Sequence, residues 1–403
     1  MFFGLLFVYI SIDMCQLHHI IFPLKYLKLG FITEKILLLG TIFNLYRYNG
    51  IKNVLISRFL FLLIICIGVS TAYSRGRAFE VAQMDFFRYF AGFAAICLFV
   101  TNFKQVQLLM NLFVFAGLAC SIYVILHGGK GLGTFTDEND IASLLVMLLP
   151  IPYFISTITK SFMYKSVLQI AFLITLAGIA ATLSRGGMIG TLPTLFLIWS
   201  RSKQKIVTTL IIIAALFAVT IWGPANLLTE FSSISNRDDR TANSRLYFWN
   251  LSIQMLIKKP IIGVGPNSWG HAIWAGVVPL EKNVDNITPH SLYFQLISEQ
   301  GVVGIIIFIT FCFFLISNFK KINRLIKYQK NFLAEKCDRE LECYGTYVNA
   351  LGIGIIGFAF CSVFISTLYY PHFYYYAFLL TAIENILQKA YLEKESLDVM
   401  STI

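Results

Sequence analysis

Charge is scarce in this chain of 403 residues. Only 13% are Asp, Glu, Lys or Arg, against 57% hydrophobic, and the mean hydropathy is +0.71. A soluble domain carries roughly 25% charge, so an ordinary soluble enzyme and a disordered chain are both excluded. The eight cysteines form no CxxC pair, which removes the usual signatures of a zinc site and of a disulfide framework. Most of them stand in apolar runs, where a thiol behaves as a small hydrophobe; Cys337 and Cys343 stand in a basic stretch. There is no DxD triplet, HExxH, GxSxG or P-loop. The machinery for a metal-bound nucleotide sugar, a zinc hydrolase or ATP is therefore missing, and no metal or cofactor is expected. The opening segment MFFGLLFVYISIDMC lacks a basic n-region and a small-residue cleavage site. It reads as a first span rather than a signal peptide. Acidic residues are scarcer than basic ones, 21 against 32, for a net charge of +11. In a soluble protein that excess would suggest nucleic acid. Between apolar runs it is a topology signal, and no nucleic-acid partner is expected.

Apolar runs lie near 1–17, 32–46, 57–73, 85–101, 105–126, 140–159, 166–183, 187–200, 206–223, 291–317, 345–367 and 372–388. They predict an all-α, polytopic transmembrane bundle of about twelve spans, a single integral membrane domain over 1–403. The connections at 47–58, 160–165, 201–205 and 318–344 are basic. They alternate with the remaining connections, so one orientation puts all of them, and both termini, in the cytoplasm. The opposite face receives 74–84, 127–139, 184–187 and the long stretch 224–290. That last stretch, between spans nine and ten, is the one extracytoplasmic loop long enough for substantial structure of its own.

Arginines on the outer face run against the topology rule and need a reason. Arg185 lies in LSRGG at the mouth of the seventh span. Taken alone, it snorkels to phospholipid phosphate or faces a cavity; Gly186 and Gly187 permit a close approach there. Arg245 lies in TANSRLYFWNLSIQMLIKKP, which reads as an amphipathic helix capped by Asn243 or Ser244 and stopped by Pro260. That puts Arg245 in the first turn, where a cation makes sense if an anion binds beside it. The alternative is a surface arginine paired with Asp238 or Asp239. His290, in NITPHSLYFQLISEQGVVG, opens the tenth span. A helix N-terminus disfavours imidazolium, leaving a neutral ring able to accept a proton; the alternative is a histidine at the headgroup level. The glycines of PIIGVGPNSWG (260–270) have the wrong spacing for a nucleotide fingerprint and read as a turn back toward the membrane. In GTFTDEND (133–140), Asp137, Glu138 and Asp140 offer cation ligands, but helix capping by Asn139 or Asp140 is the favoured reading.

The order of these segments carries a resemblance. SRGG at a membrane exit, RLYFW in an outer loop, KPIIGVGP, then PHSLYFQLISEQGVVG, with GTFTDENDIA upstream, resembles the O-antigen ligase and polymerase superfamily over about residues 130–310. The resemblance implies a GT-C-like membrane glycosyltransferase of the bacterial inner membrane, active on the extracytoplasmic side and needing neither metal nor nucleotide. Its donor would be a glycan on undecaprenyl pyrophosphate, and its acceptor a lipid or glycan hydroxyl. The family's two essential arginines fall on Arg185 and Arg245 and its essential histidine on His290. Ser291 follows that histidine where the family often has Asn. Ligation to lipid A-core is favoured over polymerisation with the same donor. Arg75, Arg77 and Arg88 are read first as snorkelling to phospholipid, with Arg88 kept as a further candidate for binding the lipid phosphate. A lipid-linked glycan transporter is the rival from another class. It would show repeated halves and helices broken near the midplane, and the sequence displays neither.

Overall fold

A computed structural model describes residues 2–16, 29–45, 92, 94–133, 135, 137–222, 240–279, 288–330 and 335–401. Among them the chain is all helical. In order come α1 (Phe2–Cys15), α2 (Leu29–Leu45), α3 (Phe103–Leu126), α4 (Glu138–Leu148), α5 (Pro150–Ile158), α6 (Phe162–Ala181), α7 (Arg185–Arg201), α8 (Lys205–Trp222), α9 (Arg240–Lys258), α10 (Trp269–Trp274), α11 (Leu292–Lys330), α12 (Glu335–Cys361) and α13 (Pro371–Ser401). Five stretches are long and apolar enough to cross a membrane: α3, α4 with α5, α6, α11, and residues 339–361 of α12. The expected run at 57–73 and residues 85–91 and 93 of the run at 85–101 lie outside the described residues, as do Arg75, Arg77 and Arg88.

Local chemistry sets the helix starts. Asn102, Asp137, Ser161 and Ser184 each accept an orphan backbone N–H at the head of α3, α4, α6 and α7. Gln105 also reaches back from α3 to the Thr101 N–H at 2.7 Å, a variant of the reciprocal capping box. Pro150 stands at the first position of α5, where its missing N–H costs nothing.

Helix α12 is the hub, packed against α4, α5, α7, α11 and α13. Small residues allow it. A Cβ at Gly190 would collide with Cys361 Sγ, one at Gly357 with Thr194 Oγ1, and one at Gly354 with the Met147 carbonyl. Backbones this close gain dispersion contacts where lipid supplies no hydrophobic drive between helices. Elsewhere the helices present Phe196, Leu210, Ile309 and Phe313 outward, as lipid contact requires.

Two spans depart from expectation. The basic stretch 318–344 is not a loop: α11 continues to Lys330 and α12 begins at Glu335. Residues 302–330 span roughly 43 Å at 1.5 Å per residue, more than the ~30 Å hydrocarbon core, so the Lys-rich end projects beyond it. Lys, Arg, Leu and Gln all favour helix, and α13 supports the projection. Lys321 pairs with Glu384 at 2.6 Å, and Gln329 donates to the Leu387 carbonyl at 2.8 Å. The expected span 345–367 likewise ends early, at Cys361, and residues 362–370 form an irregular segment.

The helix α11 is broken at Gly301, whose backbone lies at φ 60°, ψ −159°, a broken helix that the sequence does not display. The 260–265 turn fills the break. Val264 and Gly265 donate their N–H groups to the Ser298 and Glu299 carbonyls, both at 2.9 Å. In return Pro260 and Ile261 accept from Val302 and Val303, at 2.8 and 3.0 Å. Every backbone group freed near a membrane must find such a partner. The glycine-rich stretch is thus the turn expected, with a definite place to dock.

Candidate functional site

Hydrogen bonds sort the connections into two ends. At one end Tyr153 bonds Ser202 and Lys203 reaches Glu342, gathering the basic connections. At the other, Ser184 meets Asn139, Tyr370 meets Asp140, and the Leu292 N–H meets the Ser362 carbonyl. Arg185, Arg245 and His290 all belong to this second end.

Arg185 is the first residue of α7, directly after the cap. Ser184 Oγ accepts the Gly187 N–H at 3.0 Å and donates to Asn139 Oδ1 at 2.7 Å. Asn139 is itself held by Asp137, the cap of α4, through its backbone N–H (2.7 Å) and side-chain amide (2.8 Å). Two helix N-termini are therefore tied together beside Arg185. A Cβ on Gly187 would sit 2.7 Å from Ala142 Cβ, so this approach needs glycine. Capping is the role of this acidic segment, as favoured, but Asp137 performs it; Asp140 instead accepts from Tyr370 at 2.6 Å.

Arg245 lies on α9, which begins at Arg240. It stands in the second turn, not the first, and Asn243 and Ser244 are inside the helix rather than caps. The helix starts earlier because Arg, Thr and Ala at 240–242 continue it backward without a breaker. The guanidinium lies 5.8 Å over the Phe364 ring, a cation–π distance. Phe364 also stands 3.4 Å from where a Cβ on Gly186 would be. One aromatic ring thus links the Arg245 helix to the residue after Arg185. Asp238 and Asp239, the alternative partners, lie outside the described residues.

His290 is held from both sides. Trp249 Nε1 donates to the Pro289 carbonyl at 3.0 Å, and the Trp249 ring stacks on Phe294 at 4.7 Å. On the other side Ser291 is buried and Leu292 is bound to Ser362. The backbone of His290 itself is left-handed, φ 46°. Such strain in a non-glycine residue persists only where the surroundings over-determine it, and it gathers at functional sites. Burial pushes the imidazole below its ordinary proton affinity, and the charge of Arg245 pushes it further; Asp137 acts in the opposite direction. His290, Arg245 and Asp137 therefore share one electrostatic neighbourhood.

A buried polar frame that the sequence reading passed over holds this neighbourhood together. Glu299, 2% exposed, accepts the Asn267 N–H at 3.1 Å and the Trp269 N–H at 3.2 Å, and Gln295 reaches it at 3.4 Å. Gln295 also accepts the Leu368 N–H, and Gln300 donates to Tyr369. The signal was present: Gln295, Glu299 and Gln300 interrupt a span in SLYFQLISEQG, where polar residues are costly and mark function. Phe364 carried no such signal, because CSVFISTLYY reads as continuous apolar span.

No curated protein matches the chain. Residues 170–309 match the family model described as O-antigen ligase. That segment runs from within α6 into α11 and includes Arg185, Arg245, His290 and Glu299. Over these residues the chain is similar to the O-antigen ligase family, in agreement with the resemblance carried by the order of its motifs.

Proposed function

We propose that the chain is a membrane glycosyltransferase of the inner membrane, with about twelve spans and a GT-C-like plan. It moves a glycan from undecaprenyl pyrophosphate to an acceptor hydroxyl on lipid A-core or another glycan, at the extracytoplasmic face. The observation that carries this reading is the strained His290 within the field of Arg245, on the end of the bundle where Arg185 heads α7. The donor is amphiphilic: its chain needs lipid, its diphosphate needs cations and its sugar needs water. Arg185 and Arg245 hold the diphosphate through charge-assisted hydrogen bonds. His290 takes the proton of the acceptor hydroxyl. The acceptor oxygen bonds to the anomeric carbon as that carbon's bond to the pyrophosphate oxygen breaks. The electron pair leaves with undecaprenyl pyrophosphate, whose growing charge the guanidinium groups stabilise. A single displacement inverts the anomeric configuration.

Because burial and Arg245 lower the proton affinity of His290, the neutral ring persists below the usual histidine value of about 6.5. Transfer is expected to stay level from about pH 8 down past this value and to fall only in more acidic buffer. A rate profile that already declines above it would contradict His290 as the base.

Deletion of the gene, with analysis of surface glycan, tests the proposal. Loss of long chains from the lipid acceptor, with polymer accumulating on the undecaprenyl carrier, means ligase. A single capped repeat on the acceptor means polymerase. Unchanged surface glycan contradicts both.

A further inference from the structure

At the basic end of the bundle, away from Arg185 and His290, the ends of α5 to α8, α11 and α12 line a partly open cavity of about 320 Å³. Lys165, Arg201, Lys203 and Lys330 line it against one carboxylate, Glu342. Four cations against one anion leave an excess of three positive charges. Among the described residues, Lys203 reaches that carboxylate, at 3.5 Å. The floor is a closed hydroxyl triangle: Tyr153 to Ser202 at 2.8 Å, Tyr153 to Thr208 at 2.6 Å and Ser202 to Thr208 at 2.5 Å. All three residues are buried, so the floor is preformed. The walls between are apolar, with Phe154, Val207 and Ile326.

Positive residues spread over a membrane face are explained by topology alone. A topology signal does not require the cations to rim one partly open cavity with an apolar wall and a fixed polar floor. We infer that this cavity binds the phosphate headgroup of an anionic phospholipid, with its acyl chains along the apolar wall. Basic pockets between membrane helices take such headgroups, and the volume falls within the usual range for small-molecule sites. The site is separate from the proposed transfer reaction and does not depend on it.

The test is native mass spectrometry of the full chain in neutral detergent, titrated with phosphatidylglycerol or phosphatidylcholine. Phosphatidylglycerol adducts should dominate, and the triple substitution Lys165→Gln, Arg201→Gln, Lys330→Gln should weaken them by about 10-fold or more. Gly345→Leu is the second variant. A Cβ there meets only Ile326, at 3.9 Å, so the larger side chain fills the cavity while every charge remains; it should weaken the adducts comparably. Neutralising Lys320, Arg324 and Lys327, basic residues of the same helix outside the cavity, should leave them unchanged. Equal adducts in wild type and Gly345→Leu would overturn the inference, as would equal binding of the two lipids. Heat protection of the chain by inorganic phosphate, lost in both variants and absent with phosphatidylglycerol, would assign the cavity to a free anion and overturn the lipid.

Discussion

Alanine at Arg185 or at Arg245 should lower glycan transfer by about 100- to 1000-fold, the range for removing a preorganised group that stabilises developing charge. Membrane insertion and thermal stability should change little. Neither side chain fills the core: Arg185 follows the Ser184 cap, whose bonds to Gly187 and Asn139 are independent of it, and Arg245 lies over the face of Phe364. Arg185→Lys with Arg245→Lys sharpens the test. Lysine keeps the charge but loses the planar fork that matches a phosphate, so the pair should remain strongly impaired. Near-normal transfer by the lysine pair would reduce the role to point charge. His290→Ala should also abolish turnover, as expected of the proposed base. Rates come from transfer assays on membranes carrying equal amounts of each variant.

Alanine at Gly301 or Gly263 should open the outer frame without touching a charged group. Both residues have positive φ, 60° and 66°, a backbone that costs an ordinary residue about 1–3 kcal/mol. A Cβ at Gly301 would also lie 2.6 Å from the Gly263 nitrogen, and one at Gly263 would lie 2.5 Å from the Ser298 carbonyl oxygen. These contacts force the 260–265 turn off the helix break, and each stranded buried backbone group costs about 1–3 kcal/mol more. A total of about 3 kcal/mol is on the order of 100-fold in the opening equilibrium. Hydrogen exchange at the amides of Val264, Gly265, Val302 and Val303 should rise accordingly, and transfer should fall with it. Gly276 is the control. Its φ is 70°, but a Cβ there meets nothing within 4 Å, so alanine pays strain alone and leaves those four amides protected.

Much of this arrangement is legible in the residues, for identifiable reasons. Uninterrupted apolar runs mark α3, α4 with α5, α6 and the first part of α11, because nothing else in water-soluble chemistry needs them at that length. Ser184 and Asp137 are small oxygen-bearing side chains at the ends of such runs, where caps belong. The Gly-Pro-Asn spacing of 263–267 can only turn. Other features leave no such trace. The segment 362–370 is apolar and contains no glycine or proline before Pro371, so its irregular backbone is set by tertiary bonds to Leu292, Gln295 and Gln300. Gly301 resembles any glycine tolerated in a helix until the 260–265 turn arrives to use the break. The projecting end of α11 and the start of α12 read as a connection because charge hides helix propensity. The contact of Arg245 with Phe364, and the approach of Phe364 to Gly186, join residues far apart in the chain, and spacing along one element cannot reveal them.

In the proposed reaction Arg185 and Arg245, on the His290 end of the bundle, grip a polyprenyl diphosphate. Equilibrium binding of undecaprenyl pyrophosphate to the purified chain tests it most directly, since it requires no acceptor and no turnover. Arg185→Ala and Arg245→Ala should each weaken binding by about 10-fold or more, while undecaprenol, which lacks the diphosphate, binds all three proteins equally and poorly. Equal affinity of wild type and both variants for the diphosphate would contradict it.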